Sequence, residues 1–490
     1  MKRRDLFKLG AVLASSATLA GATAAASSGA SNPAPMADMP MDGTPVPPPI
    51  TVPPFGGPLH IPHTLRPSRR NLLCDEYAMN IVPATQEIVP GLTTQVLTFG
   101  GQFPGPVIRA EAGRPVSLRL TNQLTVPTAT HLHGGHSAHT DDGFPTDIVA
   151  PGQSRTYHYQ NEQRGASLWY HDHAMGHEAE NVYRGLAGLY LLTDPYEQSL
   201  PLPRGRYEVP LMLRDAHIAA DGTLVYDMTH HGTDRTTILV NGTPTPYFQV
   251  AARKYRFRVA NMANERAFGL KLADGSPIIQ IGSDGGLLPA PAEVDSVSVW
   301  PAERADIVID FSRYPVGTQL VLENTTTFPG ERTEVMRFDV VREEPDDSMI
   351  PDEFQPNPVL APPSVRRSFS MSFDPATGQF LINGRTFDPN RVDIQVARGT
   401  VEAWTVTNTD TRIPIPHTFH VHLSQFQVVA RNGKPPAAPE SGLKDTVSLL
   451  PGESVTFHVP FEDFTGTYLY HCHMMEHAMD GMMGVFNVAG

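Results

Sequence analysis

Hydrophobic and polar residues alternate along three similar stretches of the chain, at residues 114–122, 253–261 and 400–408, and each stretch ends in Asn. Alternation with a period of two is typical of a strand with one buried face. A second alternating stretch follows each of them, and these second stretches begin at Pro151, Pro301 and Pro451, 150 residues apart. A turn and strand repeated three times at one spacing predict three copies of one β-domain.

Polar and Pro-rich segments separate the three copies, at residues 193–203 and 343–363. The sequence therefore predicts domains at 58–195, 196–345 and 346–490. The chain contains 47 Pro and 40 Gly, which favours short strands joined by turns. We expect an all-β protein of three β-sandwiches, with helical turns only near 174–182 and 480–483.

The N-terminus resembles a secretory signal, because a basic head containing Arg3 and Arg4 precedes an apolar run with small residues. The paired arginines favour a twin-arginine signal over a general secretory one. We predict a signal at 1–28, a Pro- and Met-rich linker at 29–57, and export to the periplasm or the cell exterior. No other stretch is long and apolar enough to span a bilayer. The formal net charge of −14 argues against nucleic acid as a partner.

A lone cysteine lies between two histidines near the C-terminus, and His477 and Met482 follow it at five and ten residues. Two imidazoles, a thiolate and a distant thioether form the ligand set of a blue-copper centre. Cys472, His477 and Met482 can supply three of these ligands. His471 and His473 point to the opposite face of an extended segment, so the stretch predicts two adjoining metal sites.

Half of the 20 histidines fall into four tight groups. In a His-x-His pair both rings project from one face of a strand, so four such pairs offer eight imidazoles to one cluster. The pairs are His131 with His133, His171 with His173, His420 with His422, and His471 with His473. His417 lies at an odd offset from His420 and therefore joins Cys472, His477 and Met482.

Two pairs lie in the first copy and two in the third, which predicts that the cluster occupies the seam between these copies. The middle copy offers only His217, His230 and His231, and we expect it to act as a spacer. Zinc also suits imidazole, but eight histidines arranged around a thiolate site do not resemble a closed four-ligand zinc site. The pattern favours copper.

These motifs resemble those of the multicopper oxidases, and residues 164–175, 280–289 and 432–436 are similar to the bacterial three-domain branch of that family. This branch includes laccases, bilirubin oxidases and copper-efflux oxidases. The resemblance implies three cupredoxin-like Greek-key domains and four copper ions. It also implies that single electrons taken from reducing substrates at a type 1 copper reduce O2 to water at a trinuclear cluster.

The resemblance also implies the role of each ligand. The type 1 copper would bind His417, Cys472, His477 and Met482. The type 2 copper would bind His131 and His420. One type 3 ion would bind His133, His171 and His473, and the other would bind His173, His422 and His471.

Asp142 matches the position of the family's carboxylate near the type 2 copper, which makes it a candidate proton donor or water orienter. A turn residue explains Asp142 equally well. A second relay carboxylate often follows the last type 1 histidine in this branch, but here that residue is Ala478. Glu476 or ordered water is a candidate substitute, unless protonation relies on Asp142. The candidate catalytic residues are therefore Asp142, Cys472 and His477.

Efflux oxidases of the family bind cuprous ion with an acidic residue and a methionine where this chain has Ile413 and Ile415. These two residues favour an organic substrate over cuprous ion, so we expect a laccase-type oxidase of phenolic, aromatic or bilirubin-like reductants. We also expect the protein to be a monomer. A cuprous or other metal-ion oxidase is the alternative. Retention of every ligand argues against a copper-free scaffold, and the second set of type 3 ligands argues against a copper nitrite reductase.

Overall fold

A computed structural model describes residues 46–228, 232, 234–327 and 333–490. The signal predicted at 1–28, the linker up to residue 45, and His230 and His231 lie outside the described residues. The rest of the linker, 46–57, forms neither helix nor strand, and Ile50 N–H donates to the Ile218 carbonyl at 2.8 Å. Within the described ranges, no helix has the length and apolarity needed to cross a membrane.

The first unit contains two sheets, with strand orders β1-β2-β5-β7 (β3 also pairs with β2) and β4-β9-β8-β6. Its strands are β1 (Arg69–Arg70), β2 (Asp75–Gln86), β3 (Thr94–Phe99), β4 (Ile108–Glu111), β5 (Val116–Asn122), β6 (Thr130–His133), β7 (Ser154–Tyr159), β8 (Ala166–Asp172) and β9 (Ala187–Thr193).

The described residues of the middle unit also form two sheets, ordered β12-β11-β10-β14-β19-β16-β17 and β13-β21-β20-β15-β18. The strands are β10 (Glu208–Ala216), β11 (Thr237–Val240), β12 (Thr243–Pro244), β13 (Tyr247–Ala252), β14 (Lys254–Asn261), β15 (Phe268–Leu272), β16 (Ile278–Ser283), β17 (Gly286–Val294), β18 (Val297–Val299), β19 (Arg304–Asp310), β20 (Gln319–Asn324) and β21 (Glu334–Glu343).

The third unit has sheets ordered β23-β22-β25-β30-β27-β28 and β24-β32-β31-β26-β29. Its strands are β22 (Val365–Asp374), β23 (Gln379–Ile382), β24 (Ile394–Ala397), β25 (Thr400–Asn408), β26 (His417–Val421), β27 (Phe426–Arg431), β28 (Leu443–Lys444), β29 (Thr446–Leu449), β30 (Ser454–Phe461), β31 (Gly466–His471) and β32 (Met483–Ala489).

The two alternating stretches of each copy become neighbouring antiparallel strands, β5 with β7, β14 with β19, and β25 with β30. The first stretch of each copy also has a parallel partner: β5 pairs with β2, β14 with β10, and β25 with β22. This threefold repetition of one topology confirms the prediction of an all-β, cupredoxin-like fold. Because no sheet mixes strands from two units, we propose the domain boundaries 58–195, 196–345 and 346–490.

The Asn at the end of each first alternating stretch is buried and forms hydrogen bonds with the residues that follow it. Asn408 Nδ2 donates to the carbonyls of Ile415 and Leu449 at 2.8 and 3.1 Å, and Asn408 Oδ1 accepts from Asp410 N–H at 2.9 Å. Asn122 and Asn261 make the same set of three bonds in their own units. In the third unit this arrangement fixes the loop that leads to His417.

Three short α-helices occur in the described residues: α1 (Glu178–Arg184), α2 (Pro195–Ser199) and α3 (Met475–Met479). Single 3₁₀ turns are found at His139–Asp141, Gly205–Tyr207, Phe311–Arg313 and Ala438–Glu440. The helix predicted near 174–182 begins later than expected, at Glu178. The helix predicted at 480–483 was wrong, because Gly481, at φ 108°, ends α3 and turns the chain into β32.

Each unit has a hydrophobic core of its own, and a further apolar cluster joins all three units. This shared cluster contains Trp169 from the first unit, Met212 and Ala302 from the middle unit, and Met475 from the third. The third unit's core includes Cys472 and Met482. These two proposed metal ligands therefore lie inside the third unit, away from solvent.

Candidate metal centres

Four strand ends bring the His-x-His pairs together at the seam of the first and third units. In the first unit, β6 pairs with β8 so that His131 lies opposite His171. In the third unit, β26 pairs with β31 so that His420 lies opposite His471. The remaining ring of each pair lies at the end of its strand or just beyond it. Two similar pairs of antiparallel strands, one from each unit, thus face each other at their ends.

The eight imidazoles form one buried cluster. Rings from the two units interleave: His133 stacks on His420 with centroids 3.7 Å apart, and His131 stacks on His422 at 3.9 Å. Trp169 packs against the ring of His171 at 4.3 Å and closes one side of the cluster. The structure therefore places all eight predicted histidines together.

The ring nitrogens of the cluster face inward and many lack a hydrogen-bond partner. His133 Nδ1 lies 3.1 Å from His473 Nε2, and His422 Nε2 lies 3.1 Å from His471 Nε2. No partner in the described part of the chain contacts Nε2 of His131, His171, His173 or His420. Burial first, and then repulsion between neighbouring rings, holds the pKa of His171 and His173 well below the usual value. Neutral imidazoles with inward lone pairs are the donor set that a metal ion requires.

Three sets of inward nitrogens converge closely enough to hold ions, with all ligand atoms of a set within 4.8 Å of one another. The sets are His131, His133 and His171; His131, His420 and His422; and His173, His422 and His471. Because the sets share members, several ions would lie close together in one chamber.

A second site lies in the core of the third unit, where His417 faces away from the cluster. His417 Nδ1 is 3.2 Å from His477 Nδ1, and Cys472 Sγ lies 3.9 and 3.6 Å from these two nitrogens. Met482 is fully buried, and its backbone bonds to both Cys472 and His477. Phe380 stacks on the His477 ring at 3.9 Å. Three of the four ligands predicted for a blue-copper centre thus come together, and Met482 lies in the same buried core.

The Cys472 thiol also fits a metal site. Burial raises its pKa to about 12, so a thiolate here requires a cation beside it. The hydroxyl oxygen of Thr418 lies 4.0 Å from Cys472 Sγ and accepts a hydrogen bond from His473 N–H at 2.9 Å. Thr418 therefore contacts the thiol of one site and the backbone of a ligand of the other.

Carboxylates hold the outward nitrogens of several rings, which fixes which nitrogen faces the metal. Asp410 Oδ2 accepts from His417 Nε2 at 2.8 Å, leaving Nδ1 of His417 directed at Cys472. Sequence reasoning missed Asp410. The one sequence signal for Asp410 was its position two residues after Asn408, at the end of a predicted strand.

Asp142, which the sequence singled out, contacts two rings of the cluster. Its Oδ2 accepts from His422 Nδ1 at 2.7 Å, and its backbone carbonyl accepts from His131 Nδ1 at 2.6 Å. Burial alone would raise the pKa of Asp142, but His422 and His131 outweigh this effect and hold the pKa below its usual value. Asp142 is therefore an anionic group at the edge of the cluster.

The middle unit contributes side chains near the second site, so the expectation of a mere spacer was too narrow. Arg235 Nη2 and Asn264 Nδ2 donate to Glu476 Oε1 at 2.6 and 2.9 Å, beside the ligand His477. Glu265 Oε1 lies 3.8 Å from His477 Nε2. No local pattern in the sequence marks these residues, because they meet only through domain packing.

Two segments of the chain, residues 81–197 and 360–490, match family profiles described as multicopper oxidase. Bilirubin oxidase from Albifimbria verrucaria is 36% identical over 441 residues, which cover 84% of this chain and 76% of that protein. The chain belongs to the multicopper oxidases.

A laccase from Bacillus subtilis is 32% identical to this multicopper oxidase over 509 residues, covering 89% of this chain and 98% of the laccase. The crystal structure of a laccase from Pediococcus acidilactici superposes with a TM-score of 0.84 at 31% identity, covering 91% of this chain and 96% of that one. Multicopper oxidases bind four copper ions, of types 1, 2 and 3, and are oxidoreductases that use O2. The histidine clusters described above fit these copper sites.

We expect Cys472→Ser to abolish the intense thiolate-to-copper absorption band, because a serine oxygen cannot replace the sulfur donor. Absorption and paramagnetic-resonance spectra of the copper-loaded protein measure the change. Cys74→Ser, which removes the other cysteine of the chain, should leave the band intact. A fully copper-loaded wild-type protein without colour would contradict the type 1 assignment.

Proposed function

We propose that this multicopper oxidase is a laccase-type enzyme that oxidises phenolic or other aromatic reductants. Four reductant molecules each give up one electron, and the four electrons with four protons convert one O2 into two water molecules. The bound copper ions would supply the one-electron and oxygen chemistry. The proposed ligands are His417, Cys472, His477 and Met482 for type 1; His131 and His420 for type 2; and His133, His171, His473 and His173, His422, His471 for the two type 3 ions.

The observation that carries this proposal is that neighbouring residues of the chain contact two different histidine groups. Cys472 lies with His417 and His477. Its chain neighbours His471 and His473 lie 3.1 Å, nitrogen to nitrogen, from His422 and His133 of the cluster. The Cys472 carbonyl also accepts a hydrogen bond from His471 Nδ1 at 2.9 Å, which adds a second path through the same residue. The chain thus holds two distinct sites next to each other. One would receive single electrons, and the other is a buried chamber lined with imidazoles.

Apolar side chains of the third unit support an aromatic reductant. The His477 ring stacks on Phe380, and Ile415 packs against the apolar core of the third unit. Ile413 and Ile415 offer no sulfur or oxygen ligand from their side chains. Soft thioethers are the donors that select cuprous ion in proteins, so these positions do not favour a cuprous substrate.

One observation favours the alternative, a cuprous or other metal-ion oxidase. The Glu265 carboxylate lies 3.8 Å from His477 Nε2 and is almost fully buried. A carboxyl group next to the ring through which electrons would enter offers oxygen atoms to a cationic reductant.

Oxygen uptake with a simple phenol, compared with copper(I) under the same conditions, tests the proposal. We expect rapid uptake with the phenol and little with copper(I), because the apolar side chains near His477 suit a ring rather than an ion. Glu265→Gln should then leave phenol turnover nearly unchanged. Fast copper(I) oxidation that falls in Glu265→Gln, together with negligible phenol turnover, would favour the metal-ion oxidase instead.

Protons must reach the buried cluster, and we propose that Asp142 directs them there. Ala478 has no carboxyl group, and Glu476 Oε1 already accepts from Arg235 and Asn264. Asp142 contacts two cluster rings, through its side chain and its carbonyl, and among the described residues it is not bound by an arginine as Asp445 is. It is suited to orient water and to pass protons at Oδ1, which has no hydrogen-bond partner among the described residues.

Asp142→Asn should slow O2 reduction by about 100-fold or more, the usual scale for losing an acid–base group. The amide oxygen can still accept from His422 Nδ1, so copper content should be retained. Anaerobic bleaching of the type 1 band by substrate should proceed at the wild-type rate, since electron entry lies at the other site. Asp141→Asn is the matched control from the adjacent half-buried carboxylate. Equal O2 turnover in both variants would rule out the proton role.

We also propose that the protein is exported and monomeric. The twin-arginine pattern at Arg3 and Arg4 supports export in a folded state. Replacing both arginines with lysine should retain the protein in the cytoplasm, as measured by cell fractionation. Sedimentation of the purified protein should give the mass of one chain, and a dimer would contradict the monomer.

A further inference from the structure

Arg304, the first residue of β19, lies fully buried beside the histidine cluster although it belongs to the middle unit. All of its donor nitrogens are bonded. Nε donates to the Ser167 carbonyl at 2.8 Å, Nη1 to the Ala302 carbonyl at 2.9 Å, and Nη2 to the Asp284 carbonyl at 3.1 Å. The two ends of the guanidinium also bond to the Asp445 carboxylate, with Nη1 at 2.7 Å from Oδ1 and Nη2 on Oδ2.

These bonds join all three units at one point. Ser167 lies on β8, the strand that carries His171, and Asp445 precedes β29, the partner of the strand that carries His420. Asp284 also accepts from Lys444 Nζ at 2.9 Å, which strengthens the junction between the middle and third units.

Asp445 in turn contacts the outward nitrogens of two cluster rings. Its Oδ1 accepts from His133 Nε2 at 2.9 Å, and its backbone carbonyl accepts from His420 Nδ1 at 2.8 Å. The opposite nitrogens, His133 Nδ1 and His420 Nε2, are thereby directed into the cluster. One residue thus sets the tautomer of a ligand from the first unit and of a ligand from the third.

The contact between Arg304 and Asp445 leaves no room for a side chain at residue 134. Gly134 follows His133 with φ 78°, and a Cβ added there would lie 2.5 Å from Asp445 Oδ2 and 2.7 Å from Arg304 Nη2. Glycine allows the guanidinium and carboxylate to pack directly against the chain that carries His133.

Asp445 could itself bind a metal, since its oxygen lies within 4.8 Å of ring nitrogens of His133 and His420. The guanidinium argues against this role, because it occupies both carboxylate oxygens and places a positive charge where the ion would be. Asp445 is therefore a support for the rings rather than a ligand.

We propose that Arg304 is a positioning residue of the trinuclear copper site, through which the middle unit orients His133 and His420 by way of Asp445. This inference rests on the proposed function. A lysine in place of Arg304 would keep the charge but lose the planar fork that reaches the carboxylate and three carbonyls together.

The test compares copper-loaded Arg304→Lys with Arg258→Lys. Arg258 is equally buried, but it forms ion pairs with Glu197, Glu208 and Asp306 rather than with a carboxylate that contacts the cluster rings. We expect Arg304→Lys to weaken copper binding at the cluster by about 10- to 100-fold, the scale for losing an outer partner of a metal ligand. The type 2 paramagnetic-resonance signal should fall or change shape, while the blue type 1 band per folded molecule stays at the wild-type level.

Arg258→Lys should lower the thermal midpoint yet keep both signals. Asp445→Asn provides a second route if Arg304→Lys does not fold, and it should likewise alter the type 2 signal alone. Wild-type type 2 signals in folded Arg304→Lys or Asp445→Asn, or equal loss of type 1 and type 2 copper, would overturn the proposal. The proposed function fails separately, if the copper-loaded wild-type protein consumes no oxygen with a phenol, because copper binding is measured without turnover.

Discussion

The packing of eight imidazoles in one buried chamber is the constraint on which the rest of this structure depends. Four of these rings have an Nε2 without a partner in the described residues. A buried polar atom left unbonded costs about 1–3 kcal/mol, so without cations the chamber is a source of instability. The strand pairing, the buried carboxylates and the packing of three units supply the stability that holds the rings in place. Cations of the right size then complete the bonds that the protein leaves open.

The face of the strand on which each histidine lies could be predicted from the sequence, because it depends on local geometry alone. Alternation along a strand decides that His131 and His133 share a face and that His417 opposes His420, wherever the strands end up in space. The threefold repeat was equally visible, since it rests on spacing along the chain. Arg304 and Asp445 were invisible for the opposite reason: they are 141 residues apart in sequence and meet only after three units have packed.

The middle unit shows why an absence of motif residues is a poor guide to a domain's part in the chemistry. It has no His-x-His pair, yet Arg235 bonds to the carboxylate beside His477 and Glu265 approaches the His477 ring. The wrong prediction of a helix at 480–483 has a related cause. Periodicity could not show that α3 would end before Gly481, because that glycine acts through its backbone conformation rather than through a pattern of side chains.

The division of the cluster between the two ends of the chain also sets the order of events during biosynthesis. The first unit, with half of the eight rings, leaves the ribosome about 220 residues before His417 does. At a synthesis rate of about 5–20 residues per second, the interval lasts roughly 10–50 s. Throughout it, the four histidines of the first unit supply only part of the ligands proposed for each of the three cluster ions. Complete coordination of these ions therefore requires the third unit, and the fold itself sets that order.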